Sequence, residues 1–149
     1  MTLSLCLVTV VVRKRRVLSI CSDLTMVLFL TRQAKIEQVA EQIPLLEVQG
    51  NSADDTLLIG WGSTEGHLLA AANELGCALA HFNYIHPLPK NTEEILSKYK
   101  NLIVCELNSG QFAGYLRSKI EGIHLLQYNE MTAQPFAVDR IVNFVKNSL

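Results

Sequence analysis

The four cysteines of this 149-residue chain include no closely spaced pair. Zinc and iron–sulfur sites within one chain normally use cysteines two to four residues apart. We therefore expect neither kind of site here. Cys77 and Cys105 lie inside apolar runs, which predicts buried free thiols in a reducing cytoplasm.

The chain also lacks a long apolar run that is preceded by basic residues. Residues 1–12 (MTLSLCLVTVVV) are apolar, but a membrane span needs about 20 such residues, and the basic cluster 13–16 (RKRR) interrupts them. A secretory signal places its basic residues before the apolar region rather than after it. We interpret residues 1–31 as an atypical leader foreign to the rest, of the kind that a truncated or frameshifted gene start produces. A strand pair and a membrane anchor are the alternatives.

The chain also has no large excess of positive or of negative charge. The formal net charge is −1 and charged residues make up 18% of the chain, so the sequence predicts neither a nucleic-acid face nor an anionic-membrane surface. Residues 33–149 contain eight basic and thirteen acidic groups, whereas residues 1–32 contain five basic groups and one acid. This shift of composition supports a boundary near residue 31.

Sequence motifs of common active sites are absent. The chain contains no G-x-S-x-G, no P-loop G-K-[ST], and no two histidines spaced four apart on one predicted helix. His81 and His124 fall in predicted strands, and we expect them to be satisfied core or edge residues. The residues alone thus indicate no active site.

An alternation of apolar strands and helices of about ten residues begins after the turn cluster 49–55 (QGNSADD). Such alternation predicts βαβ units and a three-layer, Rossmann-like α/β fold with a mostly parallel sheet of about five strands. The predicted strands are residues 45–48 (a short strand or a linker), 56–61, 77–83, 101–106 and 123–128. The predicted helices are residues 31–42, 65–75, 92–99, 110–120 and 136–147.

A glycine-rich turn joins the strand 56–61 to its helix. Residues 60–66 (GWGSTEG) depart from G-x-G-x-x-G, because Glu65 stands where the third glycine belongs. One interpretation is a sharp turn that lets strand and helix pack closely, with Ser63 or Thr64 capping the helix. The other is a ligand or partner edge that includes Ser63 and Thr64.

A second polar segment follows the strand 101–106. In open α/β sheets, ligands and partners meet the carboxyl ends of the strands, which makes Glu106, Asn108 and Gln111 candidates for such an edge. Alternatively, Asn108 or Ser109 caps the next helix and Glu106 pairs with a nearby base.

Four segments resemble the alpha subunits of 2-oxoacid:ferredoxin oxidoreductases, most closely the 2-oxoglutarate type, in the same order and spacing. They are residues 57–64 (LLIGWGST), 80–91 (AHFNYIHPLPKN), 104–112 (VCELNSGQF) and 134–136 (QPF). The resemblance extends over residues 32–149 and points to the C-terminal, transketolase-C-terminal-like domain. Ser109, where leucine is usual, and residues 130–133 (EMTA) depart from the family pattern.

The resemblance implies a division into a leader (1–31), a lead-in helix and linker (32–55) and the transketolase-C-terminal-like domain (56–149). It implies that the intact complex oxidatively decarboxylates a 2-oxoacid to an acyl-CoA with thiamine diphosphate, magnesium, an iron–sulfur cluster and CoA. In the family those cofactors lie in the preceding alpha domain and the beta subunit. The expectation is a cytoplasmic, non-catalytic domain that is inactive alone, carries no cofactor or metal, and needs those two partners.

A homo-oligomer is compatible with this expectation, whereas nucleic acid and membrane are not expected partners. The alternative function is a standalone module on the same fold that binds a small ligand or a protein partner.

Overall fold

The computed structural model describes residues 17–132 and 134–149. Within that part, the chain divides into two units, of which the first ends at Val39 and the second comprises Ala40–Leu149. The α/β fold lies in the second unit.

The first described element is the helix α1, Val17–Ala40. It covers residues 31–40 of the predicted helix 31–42, ends two residues earlier and begins fourteen residues earlier. For residues 17–30 the strand-pair interpretation is wrong. No glycine or proline interrupts these residues, and a helix pairs its backbone groups without needing a neighbouring strand. Residues 1–16 of the predicted leader lie outside the described residues.

Large apolar side chains stand exposed in the middle of α1. They are Met26, Val27, Leu28, Phe29 and Leu30. No helix in the described ranges combines the length and apolarity that crossing a membrane requires.

Five strands form one sheet in the order β1-β3-β2-β4-β5. They are β1 (Val48–Gly50), β2 (Thr56–Trp61), β3 (Ala78–Phe82), β4 (Asn101–Glu106) and β5 (Leu126–Asn129). The pairs β2–β3, β2–β4 and β4–β5 are parallel, and β1 pairs antiparallel with β3. The predicted mostly parallel five-stranded sheet is confirmed. Its fifth strand begins three residues later than the apolar run suggests, because Ile123 and Leu125 pack into the core from the connecting segment instead.

Helices cover both faces of the sheet, which gives the three predicted layers. On one face, α2 (Glu65–Leu75) and α5 (Val138–Ser148) bury Leu68, Ala72 and Ile141 against β2, β3 and β4. On the other, α3 (Thr92–Leu96) and α4 (Gln111–Lys119) bury Leu96 and Phe112. Apolar contact on both faces explains why the central strands contain hardly any polar residue.

Candidate functional site

The switch point of the sheet lies between β2 and β4, since the chain passes from β2 to β3 on one side and returns to β4 on the other. Crevices at the carboxyl ends of such strands are where open α/β folds bind ligands. Four of the five predicted site residues follow β2 or β4, and Glu106 ends β4. The geometry of these two connections therefore decides what the edge can do.

At the end of β2, a 3-10 turn of Gly62–Thr64 leads directly into α2. The Thr64 hydroxyl is buried and donates to the Trp61 carbonyl at 2.9 Å. Neither Ser63 nor Thr64 caps α2 through its side chain, so the predicted cap is wrong. The hydroxyl of Thr64 instead closes the turn that precedes the helix.

Gly60 explains why the turn can be so tight. A Cβ atom at this position would collide with the Leu68 side chain and lie 2.9 Å from the Thr64 hydroxyl. The interpretation that the glycine permits close packing between strand and helix is confirmed at Gly60.

A crevice of about 310 Å³ opens beside this turn. It combines two hydroxyls, an imidazole and an amide with an apolar floor. Its lining residues are Ser63, Thr64, His67, Leu107, Gln134, Pro135 and Phe136. Ser63 and Thr64 thus lie where a small ligand or a partner side chain could contact them.

Glu106 is fully buried at the end of β4. Its two carboxylate oxygens accept the backbone N–H groups of Phe112 and Ala113, at 2.8 and 2.9 Å. The predicted pairing with a base is therefore wrong. The carboxylate replaces the carbonyls that the first turn of α4 lacks, and the positive end of the helix dipole favours its charge.

Asn108 completes the start of α4. Its side-chain oxygen accepts the backbone N–H groups of Gly110 and Gln111, at 2.8 and 3.0 Å. Asn108, rather than Ser109, holds this helix start. The side-chain oxygens of Asn108 and Glu106, which could have contacted a ligand or a partner, instead accept these backbone N–H groups.

Gln111 lies apart from Ser63 and Thr64, in a different cavity of about 300 Å³. This cavity is lined by aromatic and apolar groups: Trp61, Ile85, His86, Gln111, Phe112 and Tyr115. Nδ1 of His86 and the Tyr115 hydroxyl are hydrogen-bonded at 2.8 Å, and burial raises the pKa of Tyr115. The five predicted residues therefore divide between two cavities and a structural cap.

Cys77 and Cys105 have no reactive surroundings. Burial raises the pKa of Cys77 to about 11, and burial also raises that of Cys105 well above its usual range. Both are free thiols. Among residues 17–132 and 134–149, no three histidine, cysteine or acidic side chains converge as metal ligands do. The side chains present do not fit a cluster or a magnesium site.

One polar arrangement was not foreseen from the sequence. His81 is buried, and its Nε2 lies 3.1 Å from the Gly62 carbonyl, but its Nδ1 has no hydrogen-bond partner. The expectation that His81 is satisfied holds for only one of its two nitrogens. Gly60 of β2 pairs with His81 of β3, and Glu65 begins the helix that follows β2, so this strand pairing is the signal that could have linked the two side chains.

No family model matches the chain. A subunit of 2-oxoglutarate oxidoreductase, KorA of Mycobacterium tuberculosis, is 36% identical over 124 residues, which is 79% of this chain and 18% of KorA. The solved 2-oxoglutarate:ferredoxin oxidoreductase of Magnetococcus marinus, with 2-oxoglutarate, coenzyme A and succinyl-CoA bound, superposes with a TM-score of 0.67. That match has 26% identity and covers 74% of this chain and 21% of the solved one.

The chain is homologous to the C-terminal part of the alpha subunit of 2-oxoglutarate:ferredoxin oxidoreductase. The resemblance of the four sequence segments is thereby confirmed. The chain spans about a fifth of the length of these oxidoreductase chains. Its five-stranded sheet corresponds to one α/β domain of the oxidoreductase.

Proposed function

We propose that this chain acts as a non-catalytic domain of a 2-oxoglutarate:ferredoxin oxidoreductase alpha subunit. The intact enzyme would oxidatively decarboxylate 2-oxoglutarate, transfer the acyl group to CoA and pass the electrons to ferredoxin. In that complex this domain would pack against its neighbours and hold the assembly in shape. The observation that carries the proposal is the identity of 36% over 124 residues to a 2-oxoglutarate oxidoreductase subunit.

The absence of a catalytic role is proposed from the use of the polar groups at the sheet edge. Glu106 and Asn108 accept four backbone N–H groups at the start of α4, so their oxygens stabilise the fold. A general acid or base must instead reach the reacting group. We assign no catalytic residue to the chain.

The cofactors and partners belong to the same proposal. Thiamine diphosphate, magnesium and the iron–sulfur cluster would be held by the preceding alpha-subunit domain and by the beta subunit, in the cytoplasm. Within the chain, we propose that residues 56–149 form the packing domain, residues 32–55 the lead-in to it and residues 1–31 a leader outside it. The sheet edge at the exposed Ser63 and Gln111 and the buried Thr64 is the proposed contact with those partners.

Co-purification tests the proposal directly. The full chain, tagged and expressed in its own cytoplasm, should recover a beta subunit that binds thiamine diphosphate and an iron–sulfur cluster. The isolated chain should not reduce a viologen dye with 2-oxoglutarate and CoA, whereas the recovered complex should. Recovery of a well-folded chain without any such subunit would contradict assembly into an oxidoreductase. Turnover by the isolated chain would contradict the non-catalytic assignment.

A standalone ligand-binding module is the second candidate. The crevice at the switch point favours it, because Ser63, His67 and Gln134 offer polar groups over an apolar floor. Calorimetric titration of the full chain with CoA and with ATP tests this function. A saturable signal that Ser63→Ala and Gln134→Ala abolish would support the module, and no signal would remove it.

A further inference from the structure

A buried histidine with one unpartnered nitrogen lies beside a third cavity. The His81 side chain is 3% exposed. Its Nε2 is 3.1 Å from the Gly62 carbonyl, and because a carbonyl only accepts, Nε2 must carry the hydrogen. In the neutral ring, Nδ1 is then an acceptor, and it has no partner. Buried polar atoms nearly always have one, so this atom requires an explanation.

The carboxylate that faces Nδ1 is a second acceptor. Oε2 of Glu65 lies 3.8 Å away, which is too far for a direct hydrogen bond. The side-chain amide of Gln49 donates to the other Glu65 oxygen at 3.1 Å and so holds the carboxylate in this orientation. Two acceptors therefore face each other without a donor between them.

Both side chains line a cavity of about 230 Å³, far more than one water molecule requires. A second carboxylate, that of Glu47, also lines it, and none of its lining residues is lysine or arginine. The remaining wall contains the side-chain amides of Gln49 and Asn83 together with apolar groups, among them the half-exposed ring of Tyr84. The cavity thus combines acceptors and negative charge with an apolar surface.

We propose that this cavity binds a small organic ammonium ion, a primary amine with a short apolar tail. An ammonium group has three donors and no acceptor, and its nitrogen can lie about 2.9 Å from both Nδ1 of His81 and the Glu65 carboxylate. Glu47 adds negative charge, and the tail contacts the apolar wall and the Tyr84 ring. Nδ1 is closed to solvent, so entry requires the half-exposed Glu65 side chain to rotate. The proposal does not depend on the oxidoreductase assignment.

Titration with n-butylammonium tests the site, using the full ¹⁵N-labelled chain in phosphate buffer at pH 7. The neutral 1-butanol and the anionic pentanoate carry the same butyl tail on a head group of different charge. We expect saturable binding of n-butylammonium alone, with the largest ¹⁵N shift at Nδ1 of His81. No saturable binding, or equal binding of 1-butanol, would overturn the proposal. So would a ring protonated on both nitrogens in the free protein, because Nδ1–H would then pair with Glu65 itself.

Two variants that each remove one negative charge distinguish binding in this cavity from attraction by the net charge of the protein. Glu65→Gln should weaken n-butylammonium binding about tenfold or more, because it removes the charge at the donor site. Glu74→Gln makes the same change near the other end of the same helix, outside the cavity, and should change the affinity less than about twofold. Equal weakening by both variants would mean that net charge, rather than this cavity, attracts the ion.

Discussion

Two glutamates of this domain follow neighbouring parallel strands and have opposite surroundings. Glu106, at the end of β4, is fully buried, and both of its oxygens accept backbone N–H groups. Glu65, after β2, is half exposed and faces the unpartnered Nδ1 of His81 at 3.8 Å. Near the carboxyl ends of neighbouring strands, one carboxylate thus serves the fold and the other stays available to a ligand.

The backbone between strand and helix causes this difference. Gly110 adopts φ 92° immediately before α4, a left-handed conformation that directs the first N–H groups of the helix toward Glu106. The connection after β2 is a 3-10 turn that Thr64 closes through Trp61, and Glu65 begins the helix itself. The Glu65 carboxylate instead accepts the side-chain amide of Gln49 and faces His81.

The largest expected effect is that of Glu106→Ala. It leaves two buried N–H groups without an acceptor, and we expect the free energy of unfolding to fall by about 3 kcal/mol. Urea unfolding followed by circular dichroism measures the change. Glu74→Ala, on the exposed face of α2, is the control and should change stability by no more than about 0.5 kcal/mol. A loss at Glu106 as small as the control would mean that its two hydrogen bonds contribute nothing to the fold.

Gly110→Ala tests the backbone that positions Glu106. A Cβ atom there would lie 2.6 Å from Oε1 of Gln127, and φ is 92°, so we expect a loss of about 2 kcal/mol. Gly114→Ala is the matched control within α4, because nothing lies within 4 Å of the added Cβ. It should raise stability by about 0.5 kcal/mol through helix propensity. The same sign for both variants in thermal unfolding would contradict this account of the turn.

Asn108→Ala removes the second acceptor of the α4 start. Loss of a side-chain cap typically costs about 1 kcal/mol, and we expect that decrease in the free energy of unfolding. Ser109→Ala, at the next and exposed position of the same loop, should be neutral to within about 0.5 kcal/mol. If Ser109→Ala cost more than Asn108→Ala, the serine would hold the helix start.

The pattern of strands and helices was predictable from residue 56 onward, because apolar runs bounded by turn residues carry that information locally. The caps were less predictable. Asn91 immediately precedes α3, where an asparagine usually caps the helix, yet its side chain exchanges hydrogen bonds with the backbone of Leu46, far away in the sequence. An amide whose partner is distant looks the same in sequence as one that caps its own helix.

The sequence predicted which edge of the sheet carries the candidate site, but it did not predict the contacts that the side chains make there. Ser63 and Thr64 do line a crevice at the switch point, which follows from the topology alone. Two contacts could not be predicted: Glu106 accepts a backbone N–H group of α4, and one nitrogen of His81 has no partner. Both depend on side-chain directions across two strands. Periodicity specifies the face of the strand or helix on which a residue lies, but it does not specify the group that its side chain contacts.

The smallest expected effect is that of Glu65→Gln. This variant tests whether Glu65, unlike Glu106, contributes little to the fold. Without a hydrogen bond to His81, Glu65 should contribute its favourable position at the helix start and the exposed hydrogen bond from Gln49, together about 0.5 kcal/mol. Asp139→Asn makes the equivalent change in the first turn of α5 and should cost a similar amount. Urea unfolding at pH 7 of both variants measures the difference. If Glu65→Gln cost about 2 kcal/mol more than Asp139→Asn, Glu65 would pair with a protonated His81. The two glutamates would then both serve the fold, and the cavity beside Glu65 would hold no ammonium ion.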